Sequence, residues 1–150
     1  MITRKEFLKG SVIAGGAVMA AGISLEAKEE KKVSAEEVIK SRTGKSLSEI
    51  KTDKKVVLEV PTIAESGANV PVKASVAAPV EDVVSLHIFV DNNPTPHILG
   101  AKFSPLSGEA YLEARVRFAK SSVIRCVALM KSGEAIMATQ NVKVTVGGCG

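Results

Sequence analysis

The chain has 150 residues, about one ordinary domain, and at 45% hydrophobic and 24% charged residues it sits close to the globular average. Lys and Arg outnumber Asp and Glu by 20 to 16, yet the basic residues are scattered, aromatics make up only 3% and tryptophan is absent, which argues against a nucleic-acid surface with its interleaved stacking platforms. A core has to be assembled from Val, Ile, Leu and Ala.

Residues 1–27 have the layout of an export signal. A basic start (Arg4, Lys5, Lys9) precedes an uncharged, Gly- and Ala-rich stretch over 10–25. That stretch is too short and too weakly apolar for a spanning helix, so cleavage is expected and no stable membrane anchor. Thr3-Arg4-Lys5-Glu6-Phe7-Leu8-Lys9 resembles a twin-arginine signal in its Arg-Lys variant. Both the twin-arginine and the general secretory routes lead out of the cytoplasm, so a periplasmic location is expected. Residues 28–33 form a charged linker (Lys28, Glu29, Glu30, Lys31, Lys32) with nothing to bury.

Ser34 and Glu37 have capping-box spacing, in which each side chain satisfies a free backbone N–H of the other at a helix start. A short helix over 35–42 is predicted, with Val38 and Ile39 on its apolar side and Gly44 ending it. From Val56 the apolar period changes to two. Strands are predicted over 56–60, 70–77, 83–90, 98–103, 110–118, 122–130 and 135–146, separated by proline, glycine and Asn/Asp turns. Seven short strands at this spacing predict an all-β, immunoglobulin-like β-sandwich over 34–146 that includes the preceding helix. In the strand 122–130, Ile124, Cys126, Ala128 and Met130 share one face and Arg125 lies opposite, so Cys126 reads as a small buried hydrophobe.

The tail, 147–150, carries the chemistry. Val142, Val144 and Val146 alternate with Lys143 and Thr145, so the final strand should stay in the sheet up to Val146. Gly147-Gly148-Cys149-Gly150 then follows, and these glycines predict a flexible arm with a cysteine on it. From Val146 to Cys149 such an arm spans about 10 Å when extended. Three readings of Cys149 are open: a functional thiol, an incidental one, or half of a disulfide. An exported protein rarely leaves an idle exposed thiol, and Cys126 looks too buried to pair with it, which favours function.

No cation or helix start neighbours Cys149 in sequence, and the Gly150 carboxylate would disfavour the thiolate. Only a few per cent of an ordinary thiol is ionised at neutral pH, which suits an attachment point and not an autonomous nucleophile. No catalytic residue is therefore predicted on this chain. His87 and His97 lack a further ligand at metal spacing, so no metal site is expected, and His87 reads as a strand residue with its ring at a surface or subunit interface. A nucleophile elbow and a Cys-x-x-Cys pair are both absent.

The tail Val142-Lys143-Val144-Thr145-Val146-Gly147-Gly148-Cys149-Gly150 resembles the C-terminal signature of the SoxY family, in which a strand leads into Gly-Gly-Cys-Gly-Gly; here one glycine follows the cysteine. Residues 63–72 and 85–94 resemble the same family. The resemblance implies a periplasmic carrier in thiosulfate oxidation that holds sulfur covalently on Cys149, with Gly147, Gly148 and Gly150 forming the arm and no cofactor on the carrier. It also implies a heterodimer with a SoxZ-type subunit. The chemistry would come from a SoxAX-type c-type cytochrome, a SoxB-type hydrolase and, where present, a SoxCD-type sulfur dehydrogenase. The competing expectation is an exported structural or interaction sandwich whose tail cysteine forms a disulfide with a partner.

Overall fold

The computed structural model describes residues 32–148, so the expected export signal, most of the expected charged linker, Cys149 and Gly150 lie outside the described residues. Helix α1 (Ala35–Thr43) begins with the predicted capping box. Ser34 Oγ accepts from the Glu37 N–H at 3.2 Å, and Glu37 Oε2 accepts from the Ser34 N–H at 3.3 Å. It ends at Gly44, whose φ of 73° belongs to the left-handed region and whose N–H reaches the Lys40 carbonyl at 2.9 Å.

All seven predicted strands are present. They are β2 (Val56–Glu59), β4 (Val70–Val76), β5 (Val83–Val90), β6 (His97–Lys102), β7 (Tyr111–Val116), β8 (Ser122–Met130) and β9 (Ala135–Val146). Two more were not anticipated, β1 (Lys51–Thr52) and β3 (Ile63–Ser66), and both pair in parallel with β9. One sheet runs β1-β9-β8-β5-β6, with β3 also against β9; the second runs β2-β4-β7. The two sheets form the expected sandwich.

The main core lies between the sheets. The inward residues of β4 (Val70, Val72, Ala74, Val76) meet Leu86, Ile88 and Val90 of β5 and Ile124, Cys126 and Ala128 of β8. The alternation expected for β8 holds on this face, but the opposite face is not simply solvated. Val127 is fully buried there in a second, smaller core with Ile39, Ile50, Phe89, Ala135 and Met137. Helix α1 supplies Ile39 to this core, so β5 and β8 are covered on both faces. Arg125, two residues from Val127, lies where the cover ends and is held by Asp91 through hydrogen bonds of 2.8–3.0 Å from Nε and Nη2.

Candidate functional site

The tail leaves the sandwich from β9, the most connected strand. Residues 135–142 pair with β8 on one side, Ile136 and Met137 pair with β1, and residues 143–146 pair with β3. Val142 is buried, Val144 half-buried and Val146 exposed, so the strand emerges from the core while its backbone remains tied.

Beyond Val146 the backbone meets two other segments. The Gly67 N–H donates to the Val146 carbonyl at 2.7 Å, the Phe118 N–H to the Gly67 carbonyl at 2.7 Å, and the Gly148 N–H to the Phe118 carbonyl at 2.9 Å. Three stretches distant in sequence are thereby joined by main-chain bonds just beyond the end of β9. Gly147 and Gly148, which the sequence marks for backbone freedom, serve close approach in this segment. A Cβ on Gly147 would overlap the Ala119 carbonyl oxygen, and one on Gly148 would come within 2.8 Å of Arg117 Cγ and 3.1 Å of Ala68 Cα.

The segment 117–119 is itself fixed by Asn93, a buried side chain in the turn between β5 and β6. Its amide nitrogen donates to the Arg117 carbonyl at 2.6 Å, and its oxygen accepts from the Ala119 N–H at 2.9 Å. Next to this clasp a cavity of about 230 Å³ is lined by Asn93, Pro94, Thr95, Ile98, Arg117 and Ala119. Two larger depressions, of about 510 and 430 Å³, lie beside α1 and along β2 and β4, and neither is lined by the tail. Pro94 and Thr95, in the turn between β5 and β6, thus form one wall of the cavity beside the 117–119 segment.

Cys126 is a free thiol with no exposed surface, as expected, and burial pushes its pKa up to about 12. It is a core residue, packed between the two sheets. Among the described residues no group of three or more His, Cys, Asp or Glu side chains could hold a metal ion, and no helix is long and apolar enough to cross a membrane.

The two histidines, placed apart by the sequence, are brought together. His87 Nδ1 and His97 Nε2 are 3.1 Å apart across β5 and β6, and His87 Nε2 is 3.1 Å from Ser85 Oγ. Gly100 beneath them leaves the room, since a Cβ there would come within 2.8 Å of His87 Nδ1. Burial first, then His97, Arg42 and Lys102, hold the His87 pKa below its ordinary value; burial and Arg42 do the same for His97. Depressed histidines in the folded state mean that the unfolded chain takes up protons first. Their contribution to stability is complete above about pH 6.5 and is lost as the pH falls through that value toward the folded pKa values. With two histidines in the chain, the urea midpoint should drop between pH 7.5 and 5.5, and the double variant His87→Gln/His97→Gln should show a flatter profile. An unchanged slope would show that the pair is not the titrating element.

The fold is thus a β-sandwich whose most connected strand, β9, leads into the Gly147-Gly148 segment clasped by residues 67 and 118. A family model described as sulfur oxidation protein SoxY matches residues 39–149, from α1 through Cys149. Among solved structures, the sulfur carrier protein SoxY from Chlorobium limicola f thiosulfatophilum superposes with a TM-score of 0.63 at 27% identity, covering 73% of this chain and 94% of that one. Superoxide reductase (neelaredoxin) from Ignicoccus hospitalis shares the fold, with a TM-score of 0.55 at 19% identity over 67% of this chain and 99% of that one. A search of curated proteins gave no match. The chain belongs to the SoxY family of sulfur oxidation proteins.

Proposed function

We propose that this protein is a periplasmic sulfur carrier that holds thiosulfate-derived intermediates covalently on Cys149 and presents them to partner enzymes. The observation that carries the reading is the family match extending through Cys149, together with the main-chain bond from Gly148, the residue before it, to the Phe118 carbonyl. Oxidative joining of the thiol to thiosulfate forms an S–S bond and releases two electrons and a proton. A c-type cytochrome of the SoxAX type is the electron acceptor. Water then cleaves the terminal sulfone as sulfate in a SoxB-type hydrolase, leaving a persulfide on Cys149 that a sulfur dehydrogenase of the SoxCD type can oxidise further.

The carrier contributes reach and protection from solvent, not activation, and needs no cofactor of its own. The cavity beside the arm root, with Pro94, Ile98 and Ala119 in its walls, offers a small conjugated group a place out of water. A SoxZ-type subunit is the expected heterodimer partner, and the open edges of two short sheets give it backbone to pair with. Residues 1–27 would deliver the chain to the periplasm and be removed there.

The decisive experiment is intact-protein mass spectrometry of the exported protein from thiosulfate-exposed cells, with and without reductant. Sulfur-containing mass that reductant removes, and that is absent from Cys149→Ser, is the expected result. Unmodified protein, or a modification that survives the substitution, would instead favour a structural sandwich whose tail cysteine links it to a partner.

A further inference from the structure

We propose that His87 and His97 form a proton-operated latch for α1: the two rings close on one shared N–H beside the seat of the helix and part when both are protonated, so that residues 34–52 lift off the larger sheet while the sandwich stays closed. Acid is thereby expected to open one local segment and not to loosen the fold evenly.

The pair is a product of strand register. β5 and β6 set His87 opposite Gly100 and Phe89 opposite His97. A Cβ on Gly100 would come within 2.8 Å of His87 Nδ1 and 3.4 Å of His97 Nε2, so the glycine leaves the space in which those two nitrogens meet at 3.1 Å. Nε2 of His87 is engaged by Ser85 Oγ, also at 3.1 Å. One proton between Nδ1 and Nε2 makes a hydrogen bond whichever ring carries it. With both rings protonated, each facing nitrogen is a donor, the acceptor is gone and two cations lie at contact distance. The surrounding charges do not relieve this. Arg42 of α1 acts on both rings and Lys102 of β6 on His87, and both are positive. On β8, the residue opposite His87 is the uncharged Val127, and Arg125, opposite Phe89, is matched by Asp91. The closed pair accepts one added proton and not two.

Phe89 carries the effect to the helix. Its ring lies 5.1 Å from that of His97 and 6.3 Å from that of His87, and it is buried with Ile39 of α1 and Ile50 of the segment that follows. Those two residues seat 34–52 on a core separate from the one between the sheets, and the strand of this segment, β1, is two residues long. Parting the rings withdraws the wall on which Phe89 rests, and this small core is then the first part of the molecule to open. Under the carrier reading, hydrolytic release of sulfate also releases a proton, so the latch senses a product of the chemistry the carrier serves.

The test is hydrogen exchange of the exported protein between pH 7.5 and 5.5, corrected for the intrinsic pH dependence of amide exchange. A histidine released from the pair, with an ordinary pKa of about 6.5, takes up its proton across this range, so each proton the closed pair refuses raises the open population about tenfold. The amides of α1 should therefore exchange about tenfold faster at pH 5.5, with those of β4 and β8 lagging well behind. His97→Gln, which leaves one imidazole, should remove most of the pH dependence of α1 exchange. Gly100→Ala, which drives the rings apart and keeps both, should speed α1 exchange already at pH 7.5.

Equal acceleration in α1 and β8 overturns the proposal, as does an α1 indifferent to pH or a full response retained in His97→Gln. If Gly100→Ala does not fold, the unsubstituted protein and His97→Gln decide. None of these measurements involves Cys149, so absence of sulfur on that residue in cells would sink the carrier reading and leave the latch as it stands.

Discussion

Replacing Phe89 by alanine is expected to lower stability by about 3–5 kcal/mol, the range for removing a fully buried aromatic ring. Phe89 is fully buried and forms the centre of the core under α1, with Ile39, Ile50, Val127, Ala135 and Met137 around it. Its ring also packs against His97 and His87, at centroid distances of 5.1 and 6.3 Å, so truncation undermines the histidine pair as well as the helix seat. For a domain of this size the loss should lower Tm by about 10–20 °C. Urea and thermal unfolding check it, and the acid sensitivity assigned to the histidines should weaken in the same variant. A loss below about 1.5 kcal/mol would mean that α1 and its neighbours close over the gap, and that the second core is more pliable than its burial indicates.

Substitution of Asn93 by alanine is expected to cost about 2–4 kcal/mol, because it removes two hydrogen bonds at once, one to the Arg117 carbonyl and one from the Ala119 N–H. An aspartate in its place keeps an acceptor for Ala119 but sets a carboxylate against the Arg117 carbonyl, so it should not restore the loss. The effect should be local in form. The 117–119 segment supports both the arm root and one wall of the neighbouring cavity, so exchange at Ala119 and Gly148 should rise more than exchange across β5 and β8. Uniform acceleration across the sheets would mean that Asn93 serves the whole sandwich and not this corner.

Much of the fold is legible in the residues. The Ser34–Glu37 box and Gly44 bracket α1, and proline or Asn/Asp punctuation brackets the longer strands. β1 and β3 escape because Lys51-Thr52 is too short to display a period and Ile63–Ser66 buries only Ala64. The second core escapes for a different reason. Phe89 and Val127 fall on the strand faces that alternation assigns to solvent, and only the position of α1 makes those faces interior. The histidine pair is a product of register, ten residues apart across a hairpin, and spacing rules for metal ligands are blind to it. Cys149 stood out because of its glycine context and its resemblance to a family. The partners of those glycines did not, because Gly67 and Phe118 reach the tail only through parallel pairing of β3 with β9 and a crossing of loops.

The position of β9 also ties the last part of the sequence to the integrity of the molecule. β9 is the strand to which β8, β1 and β3 all pair, so a chain cut short before Ala135 loses the strand that joins them. Such a truncated product could not assemble the sandwich. Loss of β9 would therefore be read out as loss of folding and not as loss of one function alone.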